Sequence, residues 1–184
     1  PAAYRCIKIF HMEAGLRAYD RRMPEQRNRI VIYHMSSILL PYNRYHRENL
    51  IREGIHSSKI FVTGNTTFEA MRHFAPQVEA SDILKRLKLE PKGYILVSAH
   101  RSENVDNPEF LSRIIQACGK LAERFSREVI YPMHPRTKSK IGTTPTPKSV
   151  RIMAPLGFYD WNQLLKQSYC VLSDSGTAAE EGLF

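Results

Sequence analysis

The chain has 184 residues, 42% of them hydrophobic, enough apolar material for one ordinary packed domain or two smaller ones and too much for a disordered chain. Lysine and arginine outnumber aspartate and glutamate by 27 to 18, a formal charge of +9 that favours anionic partners without choosing among nucleic acid, an acidic membrane surface and phosphorylated small molecules. No apolar run approaches the roughly 20 residues that cross a bilayer and no signal peptide is evident; Cys6, Cys118 and Cys170 form no CxxC pair, so buried, reduced thiols in a cytoplasmic protein are expected.

In chain order, short β-rich runs alternate with longer amphipathic ones, the pattern of helices packed over a mostly parallel sheet, and an α/β fold is predicted. Strands are expected at residues 6–10, 37–40, 59–63, 94–98, 128–131, 150–153 and 169–173. Pro24, at a first helical position, opens a helix over 24–34, and a second is expected over 42–53. Residues 68–74 and 82–88 read as short helices. The best-marked helix covers 108–125, where Leu111, Ile114, Ile115, Cys118, Leu121, Ala122 and Phe125 recur at three- and four-residue intervals behind Asn107 as a cap. Another begins near Asp160, with Trp161, Leu164 and Leu165 on one side. Pro76 and Pro91-Lys92-Gly93 break the pattern, so residues 1–72 are assigned to a first domain, 73–92 to a linker and 93–184 to a second domain.

Polar residues collect where expected strands end: His11 and Glu13, Gly64 and Asn65, His100 and Arg101, His134 and Arg136, and finally Asp174, Ser175 and Gly176. Such a succession suggests a crevice along the carboxyl edges of open sheets. The turn Asp174-Ser175-Gly176-Thr177 either holds a phosphate on free backbone amides or simply caps a helix, and Glu180 or Glu181 one turn on can accept from vicinal hydroxyls. His100 with Arg101, and His134 with Arg136, either grip a diphosphate or belong to salt-linked polar loops. Glu13 and Glu25 either divide acid and base roles or are neutralised permanently by Arg17 and Arg29. The histidines lack metal-ligand spacing, and basic residues are scattered with no interleaved aromatics, so neither a metal nor a nucleic-acid partner is expected.

The stretches HMEAGLR (11–17), MPEQRNR (23–29), FVTGNT (61–66), SAHRSENVD (98–106), YPMHPRT (131–137), PLGFYDW (155–161) and SDSGTAAEE (173–181), in this order, resemble the non-hydrolysing UDP-N-acetylglucosamine 2-epimerases and relatives acting on other UDP-2-acetamido sugars. The resemblance implies two Rossmann-like domains of the glycosyltransferase-B kind facing across a cleft, each partly present here, with the first phosphate-proximal loop and a functional aspartate preceding Pro1. It implies Glu13, Glu25 and His100 as catalytic residues, with Arg101, His134, Arg136, Ser175, Gly176, Thr177 and Glu181 binding UDP or substrate, and Arg17, Asn28 and Arg29 in support. It further implies a UDP-sugar substrate, no cofactor and a homodimer without membrane insertion. The chain departs from the family pattern at Gln26, Arg27 and Tyr33, and at Thr177-Ala178-Ala179 in place of a second glycine and the residues after it.

Overall fold

The computed structural model describes residues 2–20, 23–142 and 144–182. The chain divides into two compact units, Pro1–Glu69 and Ala70–Phe184.

In the first unit, a 3-10 turn at Ala3–Arg5 ends on Cys6 in the left-handed region. Strand β1, Phe10–Ala14, follows, then helix α1, Pro24–Met35, strand β2, Ile38–Pro41, and helix α2, Arg44–Arg52. β1 and β2 pair in parallel, Phe10 opposite Ile38 and Ala14 opposite Pro41, with an irregularity between Met12 and Ala14. The strand expected at 6–10 therefore runs later, because β2 supplies partners only from Ile38 onward, opposite Phe10. Residues 59–63 are not a full strand. They lie along β2 through one bridge, Ile60 to Leu39, and bonds from the Phe61 and Thr63 amides to the Leu39 and Pro41 carbonyls. Ala14, Tyr33, Leu39, Leu50, Ile55 and Ile60 form a small core. Gly15 closes the β1 end of that core: its φ is +85°, and a side chain there would run into the backbone carbonyl of His46 on α2.

Helix α3, Thr66–His73, is capped by Asn65, whose Oδ1 accepts from the Thr67 amide at 2.8 Å, and the division between units falls inside it. The segment expected as a linker, 73–92, contains two further helices, α4 (Ala75–Glu79) and α5 (Ile83–Leu87), that belong to the second unit. The reason is apolar burial. Val78 and Ile83 are buried, and Phe74 meets Phe158 and Tyr159 edge-on or tilted at ring separations of 5.9 and 5.8 Å.

The second unit continues with β3 (Tyr94–Ser98), α6 (Ser102–Val105), α7 (Pro108–Phe125), β4 (Glu128–Pro132), α8 (Pro135–Lys138), β5 (Val150–Met153), α9 (Phe158–Gln167), β6 (Cys170–Ser173) and α10 (Gly176–Glu181). The sheet order is β5-β4-β3-β6, every pair parallel. Residues of alternate parity build two cores. Ile95, Val97, Val129 and Tyr131 pack against Leu111, Ile115, Cys118 and Ala122 of α7. Tyr94, Leu96 and Ile130 face Ile83 of α5 and Leu164 and Leu165 of α9. Covering both faces explains why residues 94–97 of β3 form an apolar run instead of alternating with polar residues. The buried phenols of Tyr94 and Tyr131 donate to the carbonyls of Leu164 (2.6 Å) and Ala99 (2.7 Å), and burial pushes both pKa values up. Cys118 is buried, with its thiol raised to about 11 by desolvation, whereas Cys6 and Cys170 are exposed, against expectation. Among the described residues no helix is long and apolar enough to cross a membrane.

Candidate active site

The sheet order of the second unit creates one place where consecutive connections diverge. β3, β4 and β5 step in one direction, while β6 returns to the other side of β3. At such a switch point the loops after the two central strands part and leave a crevice beyond their carboxyl ends. The loop after β3 carries His100 and Arg101; the turn after β6 carries Asp174, Ser175 and Gly176.

Asp174 fastens the two together. Its carboxylate accepts from the backbone amides of His100 (3.1 Å) and Arg101 (3.0 Å) and from the side-chain amide of Asn104 (2.9 Å). His100 Nδ1 stands 3.7 Å from the same group. Burial alone would raise the Asp174 pKa, but these donors outweigh it and hold the carboxyl below the usual range. The sequence marks Asp174 as part of a phosphate-holding or capping turn at a strand end, and gives no sign that its side chain ties down the loop of His100 or that Asn104 shares in the tie.

His100, Asp106, His134 and Arg136 line one 420 Å³ cavity, so the structure brings three predicted residues together. His134 caps α8, its Nδ1 accepting from the Arg136 amide at 3.2 Å. Arg136 pairs with Asp106 at 2.8 Å, and Lys140 bonds the same carboxylate, whose pKa is lowered first by that hydrogen bond. The Arg101 guanidinium lies 3.7 Å from Glu103, outside the residues lining this cavity.

Ser175 precedes α10 without a side-chain cap bond, and a Cβ at Gly176 would meet nothing within 4 Å. Packing therefore does not demand a glycine there. Glu181, at the end of α10, accepts from the Trp161 indole at 3.0 Å. The side chain of Thr177 lies outside the described residues.

In the first unit Glu13 lies inside β1, with φ at +61°, where the pairing with β2 slips. A left-handed glutamate within a strand costs on the order of 1 kcal/mol, and such outliers collect where a side chain must be re-aimed. Glu13 and Arg29 both act electrostatically on His11 and Tyr33, so these groups are neighbours; burial comes first in lowering the His11 pKa and in raising that of Tyr33. Glu25 sits in the first turn of α1 and Asn28 further along it, both exposed. Among the described residues Arg17 forms its ion pair with neither Glu13 nor Glu25. Its buried side chain makes a two-pronged bond to Glu53 after α2 and lies 4.5 Å over the Tyr33 ring. Gln26, one of the departures noted above, is buried and accepts from the Ala18 amide at 3.1 Å.

The sequence matches the family model described as UDP-N-acetylglucosamine 2-epimerase over residues 1–184. It is 35% identical over 184 residues to the UDP-N-acetylglucosamine 2-epimerase of Methanocaldococcus jannaschii, covering 95% of this chain and 50% of that protein. It is 33% identical over 180 residues to the UDP-2,3-diacetamido-2,3-dideoxy-D-glucuronate 2-epimerase of Pseudomonas aeruginosa, covering 97% and 49%. The fold superposes on the crystal structure of the M. jannaschii UDP-GlcNAc 2-epimerase in complex with UDP-GlcNAc and UDP with a TM-score of 0.87 at 34% identity, covering 98% of this chain and 52% of that one. The chain thus spans about half the length of the curated relatives it matches. With the parallel sheets and the switch-point loops described above, these matches establish that the chain belongs to the UDP-N-acetylglucosamine 2-epimerase family.

Proposed function

We propose that the full-length protein interconverts UDP-N-acetylglucosamine and UDP-N-acetylmannosamine by eliminating and readding UDP. The observation that carries this reading is the likeness over nearly the whole chain to a relative solved with UDP-GlcNAc and UDP. In the proposed sequence a carboxylate takes the C2 proton as the C1–O bond breaks and UDP departs, leaving a 2-acetamidoglycal. UDP then returns to C1 while a proton is delivered to the opposite face of C2. No electron is gained or lost, so the cycle needs no redox cofactor.

Glu13 and Glu25 are assigned the acid–base work, because C2 has no adjacent carbonyl to acidify it and needs a well-placed base. The bulge that turns Glu13 into the left-handed region supports its assignment. His100 and Arg101 offset charge on the departing diphosphate, His134 and Arg136 line the same region, and the turn at Ser175, Gly176 and Thr177 receives phosphate on its backbone. The space at the missing Gly176 Cβ is consistent with close approach of a ligand. Glu181 takes the ribose hydroxyls. Asn28 and Arg29 support the acid–base pair, while Arg17 acts through its tie to Glu53 by holding the strand that carries Glu13. The reading carries with it two Rossmann-like domains, built on the units Pro1–Glu69 and Ala70–Phe184, and a cytoplasmic homodimer supplying a surface-polysaccharide precursor.

Incubating the full-length protein with UDP-N-acetylglucosamine in deuterated water tests the proposal. Deuterium at C2 together with the 2-epimer is expected. Free UDP with released sugar would mean a hydrolysing enzyme, and tight UDP binding without turnover a nucleotide-sugar-binding protein. The P. aeruginosa relative favours a second reading, a different UDP-2-acetamido sugar, which comparative turnover of modified sugars would reveal. Glu13→Gln and His100→Ala are each expected to lower kcat by about 10²- to 10⁴-fold; full turnover in both would remove the residue assignment.

A further inference from the structure

We infer that Trp161 is a positioning residue that holds Glu181 for recognition of the ribose hydroxyls of the nucleotide, an inference that rests on the ribose role proposed for Glu181. Trp161 lies in the first turn of α9, and its ring packs against the core of Ile83, Tyr94, Leu96, Ile130, Leu164 and Leu165. The half-buried indole gives up part of that packing if it reorients, so its N–H is a restrained donor. The N–H reaches Glu181 Oε2 at 3.0 Å, linking the helices that precede and follow β6.

A glutamate at the end of a helix ordinarily keeps freedom at three torsions, and a ligand that uses it must first order it. Here that ordering is already made by the indole. A carboxylate offers about four acceptor positions across two oxygens. The indole occupies one on Oε2, which leaves Oε1 and the remaining Oε2 position to receive two O–H donors from a vicinal diol. Residue types alone leave Glu180 and Glu181 open for this task and the family resemblance implies Glu181; the indole falls on that same residue.

The chemistry predicts a selectivity effect distinct from a general loss of fit. Calorimetric titration of the full chain with UDP and with 2′-deoxy-UDP compares ligands with the same base and diphosphate and one hydroxyl of difference. The unsubstituted protein is expected to prefer UDP, Glu181→Ala to abolish the preference, and Trp161→Phe to reduce it by about tenfold, the worth of a charge-assisted hydrogen bond, with little change for 2′-deoxy-UDP. Equal weakening toward both nucleotides in Trp161→Phe would make the bond a mere tie between helices and overturn the inference. A preference that survives Trp161→Phe but not Glu181→Ala also overturns it and leaves the ribose role of Glu181 standing. A preference that survives Glu181→Ala removes that role and the inference together. In protein carrying ¹⁵N-labelled tryptophan, the Trp161 indole resonance should move upfield in Glu181→Ala; an unmoved resonance denies the bond in solution, whatever the Phe variant does to folding.

Discussion

The two units hold their candidate groups by different means. In the second, Tyr94 through Val97 are fully buried, covered by α7 on one face and by α5 and α9 on the other. Its candidate-site loops are then secured by a carboxylate, Asp174, that satisfies two backbone amides and Asn104 at once. In the first, β1 leaves Phe10 65% and Met12 56% exposed, and Glu13 is oriented by an unfavourable backbone angle inside the strand. A saturated hydrogen-bond network fixes a loop from outside; a bulge fixes a side chain from within the element that bears it. The first arrangement depends on distant partners and the second on local backbone geometry.

Substitution should separate the two modes. The largest effect is expected from Ile95→Ala, which empties space between β3 and α7 and should cost about 4 kcal/mol in urea unfolding; a loss below about 1 kcal/mol would mean that the two-sided core does not carry the second unit. Arg17→Ala should cost the first unit about 3 kcal/mol, because Glu53 is left without its partner, and Arg17→Lys should recover little of it, since an ammonium cannot reproduce the two-pronged contact.

Asp174→Asn is expected to cost about 2 kcal/mol near neutral pH, since one amide oxygen cannot serve the donors a carboxylate serves. The pH dependence gives the sharper test. The folded carboxyl titrates below its ordinary value, so its contribution is complete above about pH 4 and is lost as the pH falls through the folded pKa. Unfolding curves across pH 2–5 should therefore show a flatter acid dependence in Asp174→Asn than in the unsubstituted protein; parallel curves would deny the carboxylate its role. The smallest effect belongs to Phe10→Ala, within about 0.5 kcal/mol because the ring is mostly exposed. A large loss there would show that β1 is covered in solution.

Legibility in the sequence followed the range of the interaction. The helix Pro108–Phe125 and the strands Tyr94–Ser98 and Val150–Met153 run as their periodicity required, down to Asn107 accepting from the Glu109 amide at 2.9 Å. The motifs at His100, His134 and Asp174 were visible as polar residues after apolar runs. Misplacement began where a partner decided the outcome. Residues 6–10 have strand composition, but β2 pairs only from Phe10 onward. The segment 73–92 has linker composition, yet Val78 and Ile83 are buried in the second unit. Arg17 was visible as a companion of nearby carboxylates, whereas its partner is Glu53, 36 residues away.

By itself, the sequence determined the α/β alternation, the best-marked elements and the residue types gathered at strand ends, because these depend on side-chain period and on capping within a few residues. The tertiary structure decided that β6 lies beside β3, that Asp174 holds the His100 loop across 74 residues, and that the Trp161 indole reaches Glu181. Strand order and the burial of distant faces are set by the free energy of the whole packed sheet, which no local pattern encodes.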